Sequence, residues 1–196
     1  MAVNPNFITP KATTNLANAF ASIRSSGGVA SPNKYEVVIT PPLAAAASKD
    51  ELQEITMRCE SIVLPGRNLN TSPDANIYGP LRTVVDGAAF DDSIEMIFNS
   101  SPDLRERVFF EKWQRAAFDE ETWNVRFYND YTGIVEIYVL DKSPDENRTY
   151  GIALYECYPK TIAAINLAYA TNNESIKINV SMNFRLWKSL DLNLYT

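Results

Sequence analysis

Histidine is absent from the 196 residues, and this limits the possible chemistry most severely. Without an imidazole there is no Ser-His-Asp or Cys-His nucleophile system and no His-ligated metal. Carboxylate, lysine or carboxylate–metal chemistry would survive that exclusion. Asp91 and Asp92 are adjacent and Glu95 follows four residues after Asp91. In a strand Asp91 and Asp92 point to opposite faces, so the trio fits a solvated strand start better than a paired acid and base. The run "DKSPDEN", 141–147, has calcium-loop composition but lacks the required glycine and the closing glutamate, and it reads as a polar hairpin loop. Cys59 and Cys157 have neither metal-ligand nor redox spacing and are expected to be two buried thiols. No G-x-G-x-x-G, phosphate loop or paired C-x-x-C occurs. No catalytic, cofactor or metal residues are nominated.

The remaining chemistry is that of surfaces. "SIKINVSMNFRLW", 175–187, alternates throughout. Ile176, Ile178, Val180, Met182, Phe184 and Leu186 share one parity; Lys177, Asn179, Ser181, Asn183 and Arg185 share the other. A two-residue side-chain period makes this a strand with one dry and one wet face. The wet row could meet bulk solvent, a ligand or the inside of something larger. A second candidate surface lies on a helix expected from Pro102 to about Phe118, with Ser101 as cap, Pro102 in the first turn and Asp103 at the positive end. Leu104, Val108, Phe109 and Trp113, followed by Ala116 and Ala117, form its expected docking face.

The elements that would position these surfaces are mostly strands. "NKYEVVIT" (33–40), "EITMRCESIVL" (54–64), "DDSIEMIFN" (91–99), "TWNVRFYN" (122–129), "GIVEIYVLD" (133–141) and "TYGIALYECYP" (149–159) read as strands between turn signals. Residues 67–90 read as two short strands, or one bent at Gly79-Pro80, with Gly87 as a turn. Together with 175–187 this gives seven or eight strands and one main helix, an antiparallel β-sandwich or barrel with a flanking α-helix. Residues 1–33 read as an N-terminal arm, with Leu16, Phe20 and Ile23 spaced for a short amphipathic helix that Gly27-Gly28 would stop. It is either a loosely docked tail or an arm that orders on a neighbour. Residues 41–53 read as an insertion, either a short helix or a long mobile loop, and assembly contacts are expected in it and in the arm. The expected core is Val37, Ile39, Ile94, Met96, Phe98, Phe109, Trp113, Val135, Ile137, Ile178, Val180 and Phe184.

Composition narrows the partners. Net charge is −6 with no long run of one sign, against a protein that grips nucleic-acid phosphates by a basic surface. No segment reads as a signal peptide or membrane span, and the Asn-x-Ser/Thr sequons at Asn99, Asn147, Asn173 and Asn179 read as accidental. Two rivals from other classes are a carbohydrate-binding β-sandwich and a histidine-free hydrolase using two carboxylates. The aromatic richness suits the first, but most aromatics fall on apolar parities; nothing nominates a carboxylate pair for the second.

Several segments, in order, carry a family likeness: "SPNKYEVVI", "CESIVLPGR", "AFDDSIEMIFN", "DLRERVFFEKWQ" and "YECYPKTIAAINLAYATNNESIKINVSMNFRLW". The most specific pieces are "FDD" before an alternating strand, a helix ending in Trp113-Gln114, and "YPKTI" leading through "NNE" into the last strand. Over about residues 31–190 the chain resembles the tail tube proteins of contractile-tailed, myovirus-type bacteriophages. That resemblance implies a β-sandwich or barrel shared with bacterial contractile injection systems, with residues 34–196 as the tube domain. It also implies rings of six copies stacked head-to-tail, a tape-measure protein inside, a sheath outside, and passage of DNA without specific binding. The subunit would be assembled in the host cytoplasm, reside in the virion tail, act as a non-enzyme without cofactors, and need no membrane. The arm and the 41–53 insertion depart from the family pattern and keep open the related baseplate tube-initiator role. The row Lys177–Arg185 would face either the lumen or the sheath.

Overall fold

The computed structural model describes residues 16–25, 28–74, 79–142, 146–168 and 175–191. The elements in chain order are α1 (Leu16–Ser25), β1 (Tyr35–Thr40), a 3-10 turn (Leu43–Ala45), α2 (Lys49–Met57), β2 (Cys59–Ile62), β3 (Arg67–Pro73) and β4 (Thr83–Phe90). They continue with β5 (Ser93–Asn99), α3 (Arg105–Arg115), a single turn α4 (Tyr128–Tyr131), β6 (Gly133–Leu140), β7 (Arg148–Ile162), β8 (Lys177–Asn183) and β9 (Leu186–Leu190).

Seven strands form one bent antiparallel sheet in the order β1-β6-β7-β8-β5-β2, with β9 also on β7. The bend lies in β7. Its first half pairs with β6 and β9 and its second half with β8, so one strand belongs to two layers. Glu156 sits at the junction with φ +59, unpaired between Ile134↔Tyr155 and Gly133↔Cys157, as the extra residue of a bulge. Layering puts the dry parities face to face. Val37, Ile39, Val135, Ile137, Ile152 and Leu154 of one layer meet Ile94, Met96, Phe98, Ile178, Val180 and Met182 of the other in one core. All twelve residues expected in the core are buried.

Helix α3 closes one end of that core. Its buried stripe is Glu106, Phe109, Phe110 and Trp113, with Ala116 just beyond. Leu104 packs partly against the core, whereas Val108 is 58% exposed and does not dock. Leu104 takes a left-handed conformation (φ 54) and the helix starts only at Arg105, so the stripe is rotated away from Val108 and onto Phe110. Pro102 and Asp103 form a turn ahead of the helix, and Ser101 Oγ still accepts from Arg105 N at 3.1 Å. Ser101 N and Oγ donate to Glu106 Oε2 at 2.9 and 3.0 Å, and Arg58 Nε lies 3.3 Å from Glu106 Oε1. A buried carboxylate is tolerated because its oxygens are matched in this way.

Trp113 is fully buried and its Nε1 donates to Tyr131 O at 2.7 Å. Its ring lies against Gly133, where an added Cβ would come 2.7 Å from Trp113 Cζ2 and 2.5 Å from Thr40 O. Gly133 is therefore required by close approach rather than by a turn.

Three elements differ from the sequence reading. The expected strand 54–64 begins only at Cys59, because Ser48 caps α2 by accepting from Glu51 N at 3.2 Å and carries the helix to Met57. Of the two readings of 41–53, the short helix is the one formed: a 3-10 turn and the start of α2 occupy it, Ala45 is buried, and Lys112 Nζ donates to Ala46 O at 2.7 Å. The segment "TWNVRFYN" forms no sheet strand. Asp119 Oδ1 accepts from Glu121 N at 2.9 Å and Trp123 adopts φ 57, folding the chain back so that only Phe118↔Val125 bridge. The mixed region 67–90 resolves into a two-stranded sheet, β3 with β4, in which Gly87 is a strand residue paired with Asn70.

Candidate assembly surface

The wet row of β8 lies on a four-stranded layer, β7-β8-β5-β2. Register sets its neighbours. Lys177 stands opposite Asn99, Asn179 opposite Ile97, Ser181 opposite Glu95 and Asn183 opposite Ser93 on β5. On the other side Asn183 meets Tyr158 and Ser181 meets Thr161 on β7. Ile178, Val180, Met182 and Phe184 are buried, so the dry and wet parities separate along the whole strand. Arg185 falls in the bend between β8 and β9 but keeps the wet parity.

The two cations of the row are not free. Lys177 Nζ donates to Glu60 Oε1 at 2.6 Å, reaching from β8 across β5 to β2. Arg185 Nη1 donates to both oxygens of Glu156, at 3.0 and 3.3 Å. The hydroxyl of Tyr128 is pushed up to about 12, first by desolvation and then by its hydrogen bond to the same Glu156. Between the charged ends, Asn183 Nδ2 donates to Tyr158 OH at 2.9 Å. Lys160, the extra residue where β7 shifts register against β8, is exposed at the rim of the layer.

Both rims of this layer lack a strand partner among the described residues. β2 pairs only with β5, and the second half of β7 only with β8. Beside β2 the two layers splay, leaving a cleft of about 540 Å³ lined by Tyr35, Ile62, Leu64, Ile137 and Val139 among others. The Tyr35 hydroxyl, donating to Cys59 O at 2.9 Å, bridges that gap. At the other rim Gln114 Nε2 reaches Pro159 O at 3.2 Å, and Pro159 has no N–H to offer. Antiparallel strands with open rims are templates for pairing with another chain.

A second surface is the β3–β4 hairpin, both faces of which are mostly exposed. Leu69, Val84 and Val85 are among its exposed apolar residues. Its base is fixed: Arg67 lies over the rings of Trp187 (4.5 Å) and Phe90 (5.4 Å), and Gly66 N donates to Asp91 Oδ2 at 2.7 Å. The third surface is the 118–128 turn, where Trp123, Val125 and Phe127 are each more than three-quarters exposed. Sequence reading gave the hairpin no assembly role and placed the turn in a strand. The signal for the turn was Asp119 ahead of Glu-Glu-Thr, a residue suited to accept from the N–H groups just after it.

Asp91 is spent on Gly66, so Asp91, Asp92 and Glu95 do not converge. Among the described residues no group of three or more Cys, Asp or Glu could hold a metal ion. Both cysteines are free, and burial pushes each thiol up to about 12, the opposite of a reactive thiolate. No helix among the described residues is long and apolar enough to cross a membrane.

The profile of the family described as Phage tail tube protein matches residues 30–190 of this chain. The chain belongs to the phage tail tube family. By fold the tail tube protein is similar to a chain of the sheath–tube complex of an extracellular contractile injection system in its extended state, with TM-score 0.57 and 8% identity over 91% of this chain and 99% of that one. It is also similar to a chain of the anti-feeding prophage baseplate, with TM-score 0.54 and 13% identity over 83% and 95%. A chain of the first system's sheath/tube terminator gives TM-score 0.54 and 9% identity over 80% and 93%. At such identities the likeness is one of fold. No curated protein matches the sequence.

Proposed function

We propose that this tail tube protein is the repeating subunit of a hollow tube. Six copies close into a ring, and rings stack head-to-tail. The tube surrounds a tape-measure protein during assembly, lies within a contractile sheath, and conducts DNA. It is part of the virion tail and is assembled in the host cytoplasm. The observation that carries this reading is the β7-β8-β5-β2 layer, dry on one face, wet on the other and open at both rims. A heterologous interface closes into a ring when its rotation divides the circle, and joining rim to rim would run the layers into one continuous wall. The wet row Lys177–Arg185 would then line the lumen, because a wall in contact with water and DNA is polar.

The hairpin supports stacking. An isolated two-stranded hairpin is marginal in water, and one with both faces wet gains by packing on a neighbour. The same fold would serve a baseplate tube-initiator; copy number in the particle separates the roles, many rings for a tube and one for an initiator. Concentrated purified protein viewed by negative-stain microscopy tests the proposal. Hollow stacked rings are expected; discrete species without a channel at every concentration and with an added tube end as template would contradict it.

A further inference from the structure

This inference rests on the lumenal placement of the wet row. We propose that Glu60 and Glu156 mask Lys177 and Arg185, so that the wall presents no free cation along the row to a phosphodiester polyanion moving past it. Four observations lead there. First, each cation of the row has a carboxylate at contact distance, 2.6 Å for Lys177–Glu60 and 3.0 Å for Arg185–Glu156. Second, both carboxylates come from other strands, Glu60 from β2 and Glu156 from β7, so neither pairing follows from chain adjacency.

Third, the pairs are poor stabilisers. Side-chain exposure runs from 31% to 68% across the four residues, and pairs of that kind are worth about 0–1 kcal/mol. A role in holding the fold therefore does not account for them. Fourth, Glu156 is a non-glycine residue in the left-handed region at a bulge, a conformation that costs about 1 kcal/mol. The bulge gives Glu156 the wet-face position beside Arg185, and the neighbouring Cys157 stays buried in the core. Bulges re-aim side chains in this way.

The physical consequence concerns counterions. A cation binds DNA by displacing condensed counterions from a phosphate, with a slope of about −0.7 per contact for single strands. A lysine or arginine already held by a carboxylate gains little by doing so. Repeated around a ring and along a stack, unmasked cations would instead form a ladder of phosphate sites, and a polyanion would stick. Lys160 at the rim lies outside the two pairs and belongs to the background in the comparison below.

The test uses the full chain and a short fluorescent single-stranded oligonucleotide at low salt, read by anisotropy. E60Q/E156Q is expected to bind at least about tenfold more tightly than wild type, with a log–log salt slope steeper by about 1.4. Adding K177Q and R185Q is expected to abolish the gain, and E60Q or E156Q alone to give part of it. No gain in the double variant, or a gain that survives K177Q/R185Q, overturns the masking. Lumenal placement is read separately. In a C59S background, N179C in assembled tubes is expected to resist a bulky maleimide that labels the free subunit; full labelling in tubes overturns the placement without touching the binding result.

Discussion

Two aromatic regions of this tail tube protein use the same residue types to opposite ends. Under α3, Trp113, Phe109 and Phe110 pack edge to face with ring centroids 5.1–5.9 Å apart, and the indole N–H is matched by Tyr131 O. In the 118–128 turn, Trp123 is 76% exposed, with its ring stacked flat on Phe118 at 6.0 Å and 10°. Both arrangements are built. The first is excavated by Gly133; the second is held by the Asp119 turn, with Trp123 N donating to Asp119 O at 2.8 Å and Asp119 N to Asn124 O at 3.0 Å. One site completes the core, while the other displays apolar surface on the outside of the subunit. The difference separates what folds the chain from what the chain offers to others.

Substitutions sharpen that contrast. The largest effect is expected from Trp113→Ala, which empties the seat under α3 and should remove about 3–5 kcal/mol in urea unfolding. Glu106→Gln comes next. It removes the charge facing Arg58 and leaves one acceptor oxygen, so an amide NH2 must face either Arg58 or the Ser101 donors, and it should cost about 1–3 kcal/mol by the same measurement. An alkaline effect follows from the same interior. Burial, then the hydrogen bond to Glu136, pushes the Tyr138 hydroxyl up from 10.0 to about 12, and burial pushes Cys157 up to about 12 from 9.0. A raised acid holds its proton more tightly when folded, so this stabilisation is complete below the ordinary value and is lost as pH rises through about 12. Stability should therefore fall between about pH 9 and 12, with tyrosinate absorbance rising as the protein unfolds. The smallest effect on folding is expected from Trp123→Ala, within about 0.5 kcal/mol, although tube yield by sedimentation should drop. A loss of several kcal/mol there would collapse the distinction between the two regions.

How much was legible follows from where periodicity speaks. β5 and β8 alternate in burial, and a strand with one dry face declares its own core residues. The wet row of β8 was legible for the same reason. Its partners were not, because Glu60 and Glu156 come from strands 117 and 29 positions away and register decides who meets whom. The bend of β7 at Glu156 left no trace in composition, since a left-handed glutamate is a tertiary effect. Helix α3 was legible as an amphipathic segment, but its rotation was not; Leu104 shifts the start and exchanges Val108 for Phe110. The strand expected at 122–129 failed because Trp123, Val125 and Phe127 alternate without a neighbouring strand to receive them. α2 was legible as one of two alternatives for 41–53, but its length was not, because its helix end runs straight into β2.

The central claim is that the β7-β8-β5-β2 layer forms the wall of a channel. A cryo-EM reconstruction of assembled tubes tests it most directly. The account predicts six subunits per ring, β2 of each beside the second half of β7 of the next, and Lys177, Asn179, Ser181, Asn183 and Arg185 facing the axis. A tube whose axis is lined by the β1-β6-β7-β9 layer, with the Lys177–Arg185 row on its outer surface, would contradict it.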